Sequence, residues 1–216
     1  MTRNFFTNVS NKHKFVLWAT DRCGARYNFG ILSDFGAEFL NSAPPRHVYS
    51  CEDGLEDYKI ICLTRHPAAR LVSHYHLVMD VWDLVREGKY NRIDFKDFLY
   101  DHINDVDTPY ERIESVEGFL NECKSRCNWF REPDLYLRLD YIKEDYASLK
   151  DLVPTLDIDL QKVEFDDNSD YSSRHWGKTK VKDYYTSQML NDLYNSQFFN
   201  KDYKKAGFSP ELVQEF

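Results

Sequence analysis

The stretch Lys14-Phe15-Val16-Leu17-Trp18-Ala19-Thr20-Asp21-Arg22-Cys23-Gly24-Ala25-Arg26-Tyr27 reads as a buried strand, a tight loop and the start of a helix. Lys14 to Thr20 is a short apolar run with β-branched and aromatic residues, which marks a strand covered on both faces. From Tyr27 onward, Phe29, Ile31, Leu32, Phe35 and Phe39 keep helical spacing to about Leu40. A second segment repeats the plan. Tyr58 to Thr64 (YKIICLT) is another buried strand and runs into Arg65-His66-Pro67. A helix is expected from about Ala69 to Arg86, through Leu71, Val72, Tyr75, Val78, Met79 and Trp82. Two strand-loop-helix segments in succession predict an α/β fold with a parallel sheet.

Between these segments Pro44-Pro45 makes a break, and His47 to Ser50 reads as a short further strand. Residues 88–133 read as a mostly helical insertion, with one helix from Ile93-Asp94 to Ile103 and another from Ile113 to Trp129. Asp107-Thr108-Pro109 separates them. Leu135 to Leu139 is the third strand, and a helix is expected at Lys143 to Val153. Asp166 to Lys182 reads as a polar loop and Thr186 to Phe199 as a final helix. No repeat or linker interrupts residues 1–216, so one domain is expected.

The chain carries 28 Lys+Arg against 36 Asp+Glu, a formal net charge of −8, and 15 Phe, 15 Tyr and 4 Trp. Such aromatic content buries large areas and excludes a disordered chain. The excess of acid excludes a general nucleic-acid coat, which needs surplus cations to displace counterions. Any bound anion must be held by a local group of Arg or Lys. No apolar run approaches a membrane span or a signal peptide. The five cysteines, Cys23, Cys51, Cys62, Cys123 and Cys127, read as reduced thiols of a cytoplasmic protein. Cys123 and Cys127 sit four apart but have no matching Cys/His pair nearby, so no metal site is expected.

The loop Thr20 to Arg26 puts backbone N–H groups and the positive end of a helix dipole at one spot. Gly24 lets a ligand approach the backbone, and Arg22 and Arg26 offer forked contacts to phosphate or sulfate. No Gly-Lys-[Ser/Thr] follows, which disfavours ATP hydrolysis. In the second segment Arg65 leaves a strand, Pro67 suits a first helical position, and Ser73 lies about two turns into the helix.

Here the chain resembles the sulfotransferase superfamily, in which R-[NDH]-P-x-x-R-x-x-S-x-Y marks the 3′-phosphate element. Arg65, Pro67, Arg70, Ser73 and Tyr75 match at every spacing. Thr20, Arg22 and Gly24 match the family's 5′-phosphosulfate loop, T-x-[KR]-x-[GA]-[ST]-[ST]. Where the family has two hydroxyl residues, this chain has Ala25 and Arg26. Asp140 is similar to the acid of a later family turn, and Tyr184-Tyr185, Asp202-Tyr203 and Gly207-Phe208 resemble the family's closing segment. Compact carbohydrate-type sulfotransferases of bacteria and their phages look most alike.

The resemblance implies a three-layer P-loop-like fold, with a central parallel sheet flanked by helices. It also implies transfer of a sulfuryl group from 3′-phosphoadenosine 5′-phosphosulfate (PAPS) to a hydroxyl or amine of a small-molecule or carbohydrate acceptor. No metal is needed for such an in-line transfer. Arg22, Cys23, Gly24, Ala25, Arg26, Tyr27, Arg65, Ser73, Arg174 and Lys178 would hold the donor, and Trp176 is a candidate for stacking on adenine. Arg22 would stabilise the leaving oxygen by charge, since a guanidinium does not give up its proton near neutrality. His47 is the candidate base, with Glu52 and Asp53 as rivals. His66, His74 and His76 read as structural or surface residues. A non-catalytic nucleotide- or sulfated-ligand-binding protein, or a nucleotide kinase, stands as the alternative.

Overall fold

The computed structural model describes residues 6–20, 22–39, 54–81, 87–88, 91–108, 110, 112–163, 180–197 and 199–210. Four strands form one sheet in the order β1-β2-β3-β4: β1 Phe6–Ser10, β2 Phe15–Ala19, β3 Lys59–Thr64 and β4 Leu135–Arg138. The strands β2, β3 and β4 are parallel, whereas β1 pairs antiparallel with β2. Seven α-helices accompany them among the described residues. They are α1 Ala25–Asp34, α2 Pro67–His76, α3 Phe95–Ile103, α4 Val116–Arg126, α5 Ile142–Leu152, α6 Ser187–Asn195 and α7 Asn200–Ala206. The protein is thus α/β with a mostly parallel sheet, and the three expected strands lie where the apolar runs placed them.

Chain contacts divide the protein into two compact units. The first, Met1–Arg65 with Val116–Phe165, holds the whole sheet with α1, α4 and α5. Side chains alternate along each strand, so each face has its own core. Phe15, Leu17, Ala19, Ile61, Leu63 and Leu137 gather with Phe29 and Leu32 of α1 and Tyr146 and Leu149 of α5. Val16, Trp18, Ile60 and Cys62 gather instead with Val116, Phe119, Leu120 and Cys123 of α4. Trp18 stacks on Trp129 and Phe130, each with ring centroids 5.9 Å away. Burial of every β2 residue explains why its sequence is a continuous apolar run and not an alternating one.

The second unit, His66–Ser115 with Asp166–Phe216, contains α2, α3, α6 and α7. Its described core is aromatic: Phe98 lies 5.3 Å from Tyr75, 5.2 Å from Tyr110 and 4.3 Å from His102. All of α2 is buried, and a π-turn at Leu77–Val81 follows it.

Several boundaries differ from expectation. The first helix ends at Asp34, with Gly36 in the left-handed region at φ 86°, and does not run to Leu40. The second stays α-helical to His76 and then widens into the π-turn, while residues 82–86 lie outside the described set. The expected strand at His47 to Ser50 also lies outside it. The helix expected over Thr186 to Phe199 is α6, which ends at Asn195, and α7, which was not expected, follows it. Cys23, Cys62 and Cys123 are free thiols, but Cys127 is disulfide-bonded, which corrects the expectation of a wholly reduced set. Cys51 lies outside the described residues. Among the described residues no helix is long and apolar enough to cross a membrane.

Candidate functional site

The register of the sheet brings the ends of three strands together in the first unit. Ala19 pairs with Leu63, Leu63 with Leu137, and Thr64 with Arg138. The residues that follow, Thr20, Arg65 and Leu139-Asp140, therefore leave the sheet side by side at its carboxyl edge. Open α/β sheets commonly bind ligands at that edge.

The first loop is tightly fixed. Thr20 is buried; its backbone N–H and its hydroxyl both donate to Leu63 O, at 3.2 and 3.1 Å. Arg22 is half-buried with φ 60°, a left-handed backbone that few side-chain-bearing residues adopt. Cys23 points into the core, 1% exposed, so only its backbone faces the loop. Gly24 caps α1 at φ 76°, and a Cβ there would lie 2.7 Å from Leu139 Cδ2. Only glycine meets both conditions. Ala25 and Tyr27 are half-buried against the core, and Arg26 belongs to α1, its side chain lying outside the described set.

A buried relay that sequence reading missed holds this turn. The Gly24 carbonyl accepts from Asn28 N at 3.1 Å and Asn28 Nδ2 at 3.2 Å, while Tyr146 OH donates to Asn28 Oδ1 at 3.0 Å. Asn28 and Tyr146 are fully buried, and burial pushes the Tyr146 phenol well above its ordinary pKa. Tyr146 stays a neutral donor, so α5 sets the cap of α1. No acidic residue stands in the first turn of α1, and its cap residue, Gly24, offers no side chain. The N–H groups of α1 and the positive end of its dipole favour negative charge at this spot.

Arg65 is buried at the end of β3, with its Nε 3.8 Å from Asp140 Oδ1; Asp140 is the acidic residue singled out in the sequence. That separation makes an ion pair longer than a hydrogen bond. Arg138 forms a bidentate pair with Asp145, at 2.9 and 2.7 Å, and lies over the Tyr141 ring. The hydrogen bonds from Asp145 raise the Arg138 pKa.

In the second unit Ser73 is buried on α2. Arg70, which matched the motif's spacing, has an acidic partner. It is fully buried, with Nη1 3.2 Å from Asp202 Oδ2 and Nη2 donating to Glu114 O at 2.7 Å. Arg70 is structural and anchors α7 to α2. His66 is structural too, its Nδ1 accepting from Ala68 N and its Nε2 donating to Ser209 O at 3.0 Å. Tyr203 and Phe208 pack edge-on to its ring. Residues of the closing segment thus pack against His66 at the start of α2.

His47, Glu52, Asp53, Arg174, Trp176 and Lys178 lie outside the described residues. Comparison with protein-family models, with curated proteins and with solved structures finds no match.

Proposed function

We propose that the protein is a sulfotransferase that moves a sulfuryl group from PAPS to a hydroxyl or amine acceptor, with a carbohydrate favoured by the resemblance. One observation carries this reading. At the carboxyl edge of the parallel strands, a left-handed Arg22 and a glycine cap open α1 beside the departing Arg65. A triphosphate-hydrolysing loop would supply a Gly-Lys-[Ser/Thr] run; this one supplies guanidinium and backbone N–H groups. The helices that line both faces of the sheet support a three-layer P-loop-like arrangement for the sheet-bearing unit.

In this reading the α1 N-terminus and Arg22 bind the 5′-phosphosulfate. Arg22 stabilises charge on the bridging oxygen as the S–O bond breaks, a purely electrostatic role. Arg65 and Ser73 are assigned to the 3′-phosphate, and Arg174 and Lys178 to its closure. His47 takes the acceptor proton, with Glu52 and Asp53 as alternatives. Ala25 leaves the 5′-phosphate without one of the family's hydroxyl donors, so backbone N–H groups carry more of the binding. The cytoplasmic location expected from the sequence has the Cys127 disulfide against it, since such bonds persist mainly in oxidising compartments.

Isothermal titration with 3′-phosphoadenosine 5′-phosphate, and separately with ATP and magnesium, tests the proposal. The bisphosphate is expected to bind in preference, and Arg65→Ala to weaken it by about 1.5–3 kcal/mol, the usual worth of a charged hydrogen bond. Tight ATP binding with no response to the bisphosphate would overturn it.

A further inference from the structure

The second unit holds a chain of titratable groups that no role above uses. His76, at the end of α2, has Nδ1 2.6 Å from Asp80 Oδ2 and Nε2 2.7 Å from Tyr184 OH. Asp80 stands on the π-turn and also accepts from Arg92 Nη1 at 2.5 Å. Tyr184 ends the 3-10 turn Val181–Tyr184. The π-turn matters to the geometry, because it follows His76 directly and brings Asp80 back onto its imidazole. Such widened turns recur at functional sites.

The polarity of this chain follows from its acid. Burial alone would raise the Asp80 pKa, but the hydrogen bonds from His76 and Arg92 outweigh it and lower the pKa, so Asp80 is a carboxylate. A carboxylate only accepts, so His76 Nδ1 carries the proton it donates. In the neutral tautomer this leaves Nε2 to accept from Tyr184 O–H. A hydroxyl hydrogen-bonded to an imidazole that is oriented by a carboxylate is the arrangement of an activated nucleophile. Other phenols here differ. Tyr100 donates to Asp192, which raises its pKa, and Tyr185 donates to the Ala68 carbonyl while burial raises its own. Tyr184 is half-buried, edge-on to Phe95 at 5.2 Å, and the half-exposed Arg92 sits over the neighbouring Tyr75 ring.

We propose that Tyr184 is a nucleophilic phenol that captures a sulfuryl group, with His76 as its base and Asp80 as the residue that orients His76. The choice of sulfuryl as the group rests on the function proposed above; the activation of the phenol does not. As Tyr184 O attacks, the phenol O–S bond forms and the S–O bond to the leaving oxygen breaks, its electron pair departing with that oxygen. The phenolic proton passes to His76 Nε2, and the imidazolium can return it to the departing oxygen.

Labelling with an arylsulfonyl fluoride, followed by peptide mass spectrometry, tests this without any nucleotide. In that reaction the S–F bond breaks and fluoride leaves. The adduct is expected on Tyr184 ahead of the other 14 of the 15 tyrosines. His76→Gln is expected to slow it roughly a hundredfold, within the range of general-base catalysis. Asp80→Asn, a milder change, is expected to slow it less. Adduct on exposed tyrosines with none at Tyr184, or an unchanged labelling rate in His76→Gln, would overturn the proposal. Bisphosphate binding is untouched by that result, so the two readings fail separately.

Discussion

At the scale of the residue, Gly24 is the most constrained position in the candidate site. Two independent demands meet there, a backbone at φ 76° and the Leu139 side chain 2.7 Å from where a Cβ would stand. Gly24→Ala is expected to cost about 1–2 kcal/mol from the left-handed backbone. Moving the flexible Leu139 tip adds little. Urea denaturation measures the loss, and bisphosphate titration should show weaker binding, because the α1 N–H groups turn away. Equal stability of the variant would show that the loop tolerates another shape. Arg70 teaches the converse lesson. It matched a phosphate motif at the right spacing, yet its guanidinium is consumed by Asp202 and the Glu114 carbonyl. A motif's spacing does not separate the residues that touch a ligand from those that hold the motif in place.

At the scale of the element, β2 and β3 were legible because burial on both faces favours apolar residues, as in FVLWA and KIICLT. The edge strand β1, FTNVS, was not, since its pairing with β2 comes from the partner and not from its own composition. The helix α7, NKDYKKA, hid behind its charges; it is fixed by Asp202, Tyr203 and Ala206, which are buried. The Asn28–Tyr146 and His76–Tyr184 bonds join positions 118 and 108 residues apart, beyond any local pattern. Asp202→Ala tests how α7 secures α2. It strands the buried Arg70 charge, and such losses cost about 3–5 kcal/mol. Thermal unfolding should show a drop of that order, whereas an unchanged midpoint would mean that Arg70 is stabilised otherwise.

At the scale of the whole molecule, a chain of net charge −8 matches its buried Arg65 and Arg70 and its half-buried Arg138 to carboxylates one by one. Arg65 faces Asp140, Arg70 faces Asp202 and Arg138 faces Asp145. The cysteines allow a direct check. The denatured, unreduced chain should yield fewer than five titratable thiols, and five after reduction; five at the outset would restore the reduced set. The two units are each built from two separate runs of chain, Met1–Arg65 with Val116–Phe165 and His66–Ser115 with Asp166–Phe216. During synthesis the chain is made in one direction, so α2 emerges long before its supports. Arg70 is without its carboxylate until Asp202 appears, and His66 waits for the Ser209 carbonyl. The sheet-bearing unit, complete by Phe165, can close first, and the second unit folds only as the final fifty residues arrive.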